Sequence, residues 1–346
     1  MEKKARAGWV DAARGIGILL IVLIHSIRPD MREANAACRL VYELIISFVN
    51  GMFFVLAGVT YRMAGGRREE APGRFLMKKA RALLLPFFGY ALLVYAAFSF
   101  AAWFPPTARV FQGTEYGRMP LGEYLQLTLC EDSPYAAHLW FIWVLFWITA
   151  AVYAADSLCK RWGLPRQRVL WAIALAGCVA GTLVGGGNSA AVRVLTHTVY
   201  FVYGTEFAVR PALPERSGMS SALAAVLSAG VMVRVVLYGV HTVTWYGAVL
   251  WQVVWLLVRL VFLRGLFQLA ARLQNTAWLT YLGRESFWVY LLHQPFCCGF
   301  VGLVLYSKLG LPIPAACAAA IVLGLTLPCC AVWLGRWASQ RLWAQD

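Results

Sequence analysis

The chain has 346 residues, 61% of them hydrophobic and 14% charged, with a formal charge of +15 and a mean hydropathy of +0.65. A soluble domain carries about a quarter charged residues, so this composition excludes an ordinary soluble fold and specifies a polytopic membrane protein. The positive balance would suggest nucleic acid in a soluble chain, but here it follows membrane topology, and no nucleic-acid partner is expected.

Hydrophobic runs of about 18 residues or more, long enough to cross a bilayer as helix, recur along the whole length. In order they are 12–30, 40–62, 82–104, 137–156, 169–185, 191–209, 219–239, 243–263, 286–306 and 313–335. They predict an all-α fold of about ten transmembrane helices. The pair flanking Gly185-Gly186-Gly187-Asn188 is interrupted and short. The chain reads as one membrane-embedded domain over 1–346, with a short cytoplasmic tail at 337–346. The first run keeps Arg14 near its start, lacks a small-residue cleavage site and is followed by further spans, so it is not read as a secretory signal. No internal repeat is visible, which counts against a transporter built from inverted repeats.

Lysine and arginine alternate between the gaps. Lys3, Lys4 and Arg6 precede the first run, and Arg67, Arg68, Arg74, Lys78, Lys79 and Arg81 fill the second gap. Lys160, Arg161, Arg166 and Arg168 lie in the fourth, Arg210 and Arg216 in the sixth, Arg264, Arg272 and Arg284 in the eighth, and Arg336 and Arg341 follow the last run. The intervening gaps hold only Arg32 and Arg39, then Arg109 and Arg118, and finally Lys308. The positive-inside rule therefore predicts both termini in the cytoplasm and an even number of spans. The expected location is the plasma membrane, with the lipid bilayer as the chain's surroundings. The long outer gap, 105–136, reads either as a lid or sugar-facing surface or as a connector.

The nine cysteines include the neighbours Cys297-Cys298 and Cys329-Cys330 inside apolar runs, and no CxxC spacing occurs. They read as buried small hydrophobes, and no metal site is expected.

The first run contains an aspartate, an arginine and a histidine. On a helix, Asp11, Arg14, Ile18, Val22 and His25 fall within roughly 80° of one another. Arg14 and His25 lie almost on one line, about 16 Å apart along the axis. Ionisable groups in a span are costly and usually mark a functional path. Asp11 and Arg14 have an alternative reading as residues that snorkel at the start of the helix. His25 does not, because about ten mostly apolar residues precede it.

Arg14 and His25, with ten residues between them, Asp11 upstream and the Arg-Gly-Ile run following, resemble the first-helix signature of the acyltransferase-3 family of integral-membrane acyltransferases. Four further segments agree in order. Met52-Phe53-Phe54-Val55-Leu56-Ala57-Gly58 resembles the FFxxSG pattern of the second helix, with Ala57 where the family has serine. Lys78-Lys79-Ala80-Arg81 through Leu85-Pro86-Phe87 resembles a basic stretch leading to a Leu-Leu-Pro helix start. His138-Leu139-Trp140-Phe141 resembles the LWF segment, and Gly283-Arg284-Glu285-Ser286 through Tyr290-Leu291-Leu292-His293-Gln294-Pro295 the late GxxS…YLLHxP segment. The resemblance covers nearly the whole chain. It implies an O-acyltransferase using acetyl-CoA or another acyl-CoA as donor, with no permanently bound cofactor. The family includes O-acetylases of bacterial surface polysaccharides, so the implied acceptor is a carbohydrate or lipid-linked glycan.

Such a transfer needs a base for the hydroxyl proton, stabilisation of the developing oxyanion and an anchor for the donor. His25 is the natural base, since an unperturbed imidazole titrates at about 6.5; an acetyl-histidine intermediate is the two-step alternative. Arg14 reads as a donor contact or part of the acid–base path, with Asp11 as its i,i+3 partner. Arg62, Lys78 and Arg81 are the expected contacts for coenzyme A phosphates, although topology and anionic lipid account for the same basicity. His293, beside Tyr290, is either a satisfied structural histidine or a substrate or relay residue. His138 and Trp140 start a span: an aromatic belt accounts for Trp140, and a platform for a sugar ring would use the same residue. Glu206 reads as wet and idle near a helix end, and His197 and His241 receive no role. A transporter or a non-catalytic membrane domain of the same fold is the alternative to the enzyme.

Overall fold

The computed structural model describes residues 7–64, 71–108, 118–185, 189–207, 219–239 and 245–342. Among them the regular structure is entirely helical. The helices are α1 (Gly8–Ser26), α2 (Pro29–Ala34), α3 (Ala36–Met63), α4 (Pro72–Trp103), α5 (Pro105–Ala108), α6 (Leu121–Cys130), α7 (Trp140–Trp162), α8 (Arg166–Val184), α9 (Ala190–Phe207), α10 (Met219–Tyr238), α11 (Trp245–Arg272), α12 (Ala277–Leu292) and α13 (Ile313–Leu342). Two widened helical segments, His293–Phe300 and Leu303–Lys308, continue α12. Among the described residues, 8 helices are long and apolar enough to cross a membrane. The sixth and seventh expected runs are occupied by α9 and α10, of 18 and 20 residues. The protein is an all-α polytopic membrane protein.

Proline sets the boundaries that the hydrophobic runs misjudge. The first helix stops at Ser26, and Arg28 (φ −69°, ψ 160°) is extended because a residue before proline avoids the α region. α4 starts at Pro72 and runs through Pro86, so the expected helix start at Leu85-Pro86 is an interior position. Pro72 stands in the first turn, where its missing N–H costs nothing, and a proline inside a membrane helix is tolerated. Lys78 and Arg81 are thereby helical residues instead of loop residues. At the far end, α13 continues through 342, so most of the expected tail at 337–346 is helix.

The chain divides into two compact units. The first comprises Met1–Phe53, Pro211–His241 and Val253–Asp346, the second Phe54–Arg210 and Thr242–Gln252. In the first, α1 packs chiefly along α12 and also against α13. Glycine permits this approach: a Cβ on Gly15 would run into the Leu279 carbonyl, and one on Gly283 into the Asp11 carbonyl. Reciprocal small residues let backbones meet in lipid, where hydrophobicity alone does not drive helices together. Across α12 and α13, the buried Glu285 carboxylate accepts from both terminal nitrogens of Arg336 at 2.8 Å. The late motif beginning at Gly283 is thus partly a packing device.

The second unit repeats the close approach, with Gly58 of α3 against the Phe201 carbonyl and Gly204 of α9 against that of Val55. Tyr61 donates to Asp156 at 2.7 Å, and Asp156 pairs with Arg166 at 2.6 Å, joining α3, α7 and α8. The long gap is anchored to α4 where it is described: Tyr124 of α6 is fully buried and donates to the Ala91 carbonyl at 2.9 Å. Burial raises the Tyr124 phenol above its usual range, although Ser133 and Thr128 hydrogen bonds oppose this.

Candidate active site

In the first unit the structure brings together two histidines from opposite ends of the sequence. His25 stands in the last turn of α1. The second comes from a break in α12: Pro295 lacks an N–H and pushes Gln294 out of helical conformation, to φ −120° and ψ 148°. At such a break the last carbonyls need new donors. His293 Nδ1 donates to Tyr290 O at 2.7 Å, with Val289 O at 3.1 Å. Since a carbonyl only accepts, Nδ1 is the donor in this contact, which turns Nε2 away from the backbone. The ring is 0% exposed. It meets the half-buried His25 edge to face, with centroids 5.0 Å and planes 61° apart. Gln294 Nε2 adds a hydrogen bond to His25 O at 3.3 Å, and the Tyr290 ring lies 5.9 Å from that of His293.

The chain leaving α1 is clasped to the broken segment. Arg28 donates to the Asp30 carboxylate at 3.1 and 3.3 Å and to Gly299 O at 3.4 Å, and Ser307 donates to Asp30 at 2.8 Å. Burial pushes the Asp30 carboxyl up, but the hydrogen bonds from Ser307 and Arg28 and the Arg28 charge hold it below the usual carboxylate value. Asp11 is 4% exposed, with its carbonyl against Gly283, so it does not snorkel. Arg14 is half-buried on the same helix.

The remaining expected residues belong to the second unit. Arg62 is half-buried near the end of α3, and Lys78 and Arg81 are exposed on α4, where Arg74 extends their row. Arg67 and Arg68 lie outside the described residues. His138 is 4% exposed and meets the Tyr90 ring at 6.1 Å. Trp140 carries the Arg193 guanidinium 4.5 Å from its ring centre and the His197 ring at 5.5 Å. Arg193 in turn makes a two-pronged pair with Asp132 at 2.6 and 3.0 Å. Trp140 is therefore part of a built cation–aromatic cluster, and a sugar platform would have only its remaining surface.

Sequence reasoning missed that cluster, although Arg193 inside an apolar run was a visible signal. His197 packs against Phe54 at 5.0 Å as well as Trp140. Glu206 is not idle: it accepts from Trp171 Nε1 at 3.0 Å. His241 lies outside the described residues.

No curated protein and no solved structure matches the chain. A family does: residues 7–334 match the family whose description is "Acyltransferase domain". The match takes in both units and every motif named above. The protein thus belongs to the acyltransferase-3 family and is a multi-pass membrane acyltransferase.

Proposed function

We propose that this acyltransferase moves an acyl group, with acetyl the first choice, from acyl-CoA to a hydroxyl of a cell-surface carbohydrate or its lipid-linked precursor. The contact of His25 with His293 is the observation that carries the reading. A buried, carbonyl-anchored imidazole against a second imidazole is an expensive arrangement in an apolar bundle unless protons are handled there. In the reaction the acceptor hydroxyl gives its proton to His25 as its oxygen bonds to the thioester carbon. The tetrahedral oxyanion then collapses, the C–S bond breaks, and the departing sulfur takes the proton back. His293 acts behind His25 as a positioning group; its burial suits that role better than direct contact with the acceptor.

Arg14, steadied by Asp11, is assigned to the donor or to the proton path. Arg62, Lys78 and Arg81 are assigned to the coenzyme A phosphates. His138, Trp140 and Tyr290 are assigned to the acceptor. The donor approaches from the cytosol and the acceptor from the far side of the plasma membrane, with both chain termini cytoplasmic. Mass spectrometry of surface glycans from cells with and without the gene tests this reading. Loss of an acyl substituent on deletion is expected, and unchanged glycans together with no acyl transfer by purified protein would overturn it.

A further inference from the structure

Two arginines follow α1, and they differ. Arg28 is satisfied, its charge met by Asp30 and its stem laid along Gly302. Arg32, on α2, is half-buried with its guanidinium 3.9 Å from the centre of the Tyr42 ring on α3. Its Nε is buried, and among the described residues no acceptor meets it. Buried donors in native proteins are nearly always paired, so an orphan needs an explanation. Stacking on an aromatic ring fixes the guanidinium as a rigid fork, the geometry that grips a carboxylate or phosphate with two parallel hydrogen bonds. The group stands on the short helix that directly follows the last turn of α1, seven residues after His25.

We propose that Arg32, stacked on Tyr42, is an oxyanion-binding subsite beside His25 that takes a carboxylate or phosphate group. An acidic sugar or the phosphate of a lipid-linked glycan would supply that group, and so would a phospholipid headgroup. As an acceptor subsite it rests on the function proposed above; the binding of the oxyanion does not.

The test follows His25 directly. Purified protein in zwitterionic nanodiscs is treated with diethyl pyrocarbonate, and modification of His25 is followed by peptide mass spectrometry at rising inorganic pyrophosphate. Pyrophosphate should slow the modification of wild type, and Arg32→Gln should raise the half-protecting concentration about tenfold or more, the worth of one charge-assisted contact. Arg32→Lys, which keeps the charge but loses the fork, should fall between them and carries the test if the glutamine variant does not fold. Absence of protection in wild type, or equal protection in all three proteins, would overturn the proposal. Anionic nanodiscs separate the sources. If headgroups fill the subsite, His25 of wild type, but not of Arg32→Gln, is already slow without pyrophosphate. If the acceptor supplies the group, anionic lipid leaves the rate unchanged. Because the readout is modification of His25, a negative result is distinguishable from failure of His25 to act as base.

Discussion

Replacing His293 by asparagine separates its structural and chemical roles. The ring is buried, donates through Nδ1 to Tyr290 O and Val289 O, and packs against His25. His293→Ala removes all of this at once. Val289 O keeps the His293 backbone N–H, but a Tyr290 carbonyl left without its donor costs about 1–3 kcal/mol and the lost ring pair about 0.5–1.5 kcal/mol, enough to confuse folding with function. Asparagine places an amide N–H close to where Nδ1 stood and deletes the Nε2 side of the ring. Its stability cost is then close to the ring pair alone, about 0.5–1.5 kcal/mol, or a fall in Tm of a few degrees. If His293 serves His25 in handling the proton, turnover should fall about 10²-fold, the lower end of general acid–base effects. Thermal unfolding in detergent and single-turnover acyl transfer from acetyl-CoA give both quantities. A His293→Asn protein with the small Tm shift and turnover within about threefold of wild type would refute the reasoning and leave His293 as a helix-break cap.

Three further outcomes are expected. Gly283→Ala should lower both Tm and turnover, because its Cβ overlaps the Asp11 carbonyl and forces α1 from α12, whereas Gly89→Ala, with nothing within 4 Å, should be neutral or stabilising; equal behaviour of the two would discount the close-approach argument. Arg81→Gln should raise the apparent KM for acyl-CoA by about tenfold with little change for the acceptor, and unaltered donor kinetics would return the α4 cations to topology alone. Reporter fusions at Asp346 and near Gly113, both outside the described residues, should report cytoplasm at the first and not at the second.

The helical skeleton was legible because membrane spans announce themselves by length and hydropathy: each of the ten runs overlaps a helix, although the ninth crosses the break that follows α12 and 8 of the helices are long and apolar enough to span. What composition hides is where proline acts. Pro29 ends α1, Pro86 does not interrupt α4, and Pro295 breaks α12. The difference lies in the neighbours that take up freed backbone groups, as His293 does for Tyr290 O. His25 and His293 each stand out as histidines in apolar runs, yet their contact depends on α1 lying against α12, which two glycines permit and no local pattern reveals. Glu206 looked idle and Trp140 looked open because their partners, Trp171 and Arg193, come from other helices or a later turn of the fold.

The measurement that bears most directly on the account is acyl transfer by His25→Ala in the purified, membrane-reconstituted protein. One imidazole on a long apolar helix is not needed for insertion, so expression and membrane integration should match wild type. Turnover should fall by about 10²–10⁴-fold, as for loss of a general base. A His25→Ala protein that transfers acyl groups at near wild-type rate would contradict the assignment of His25 as the group that takes the acceptor's proton.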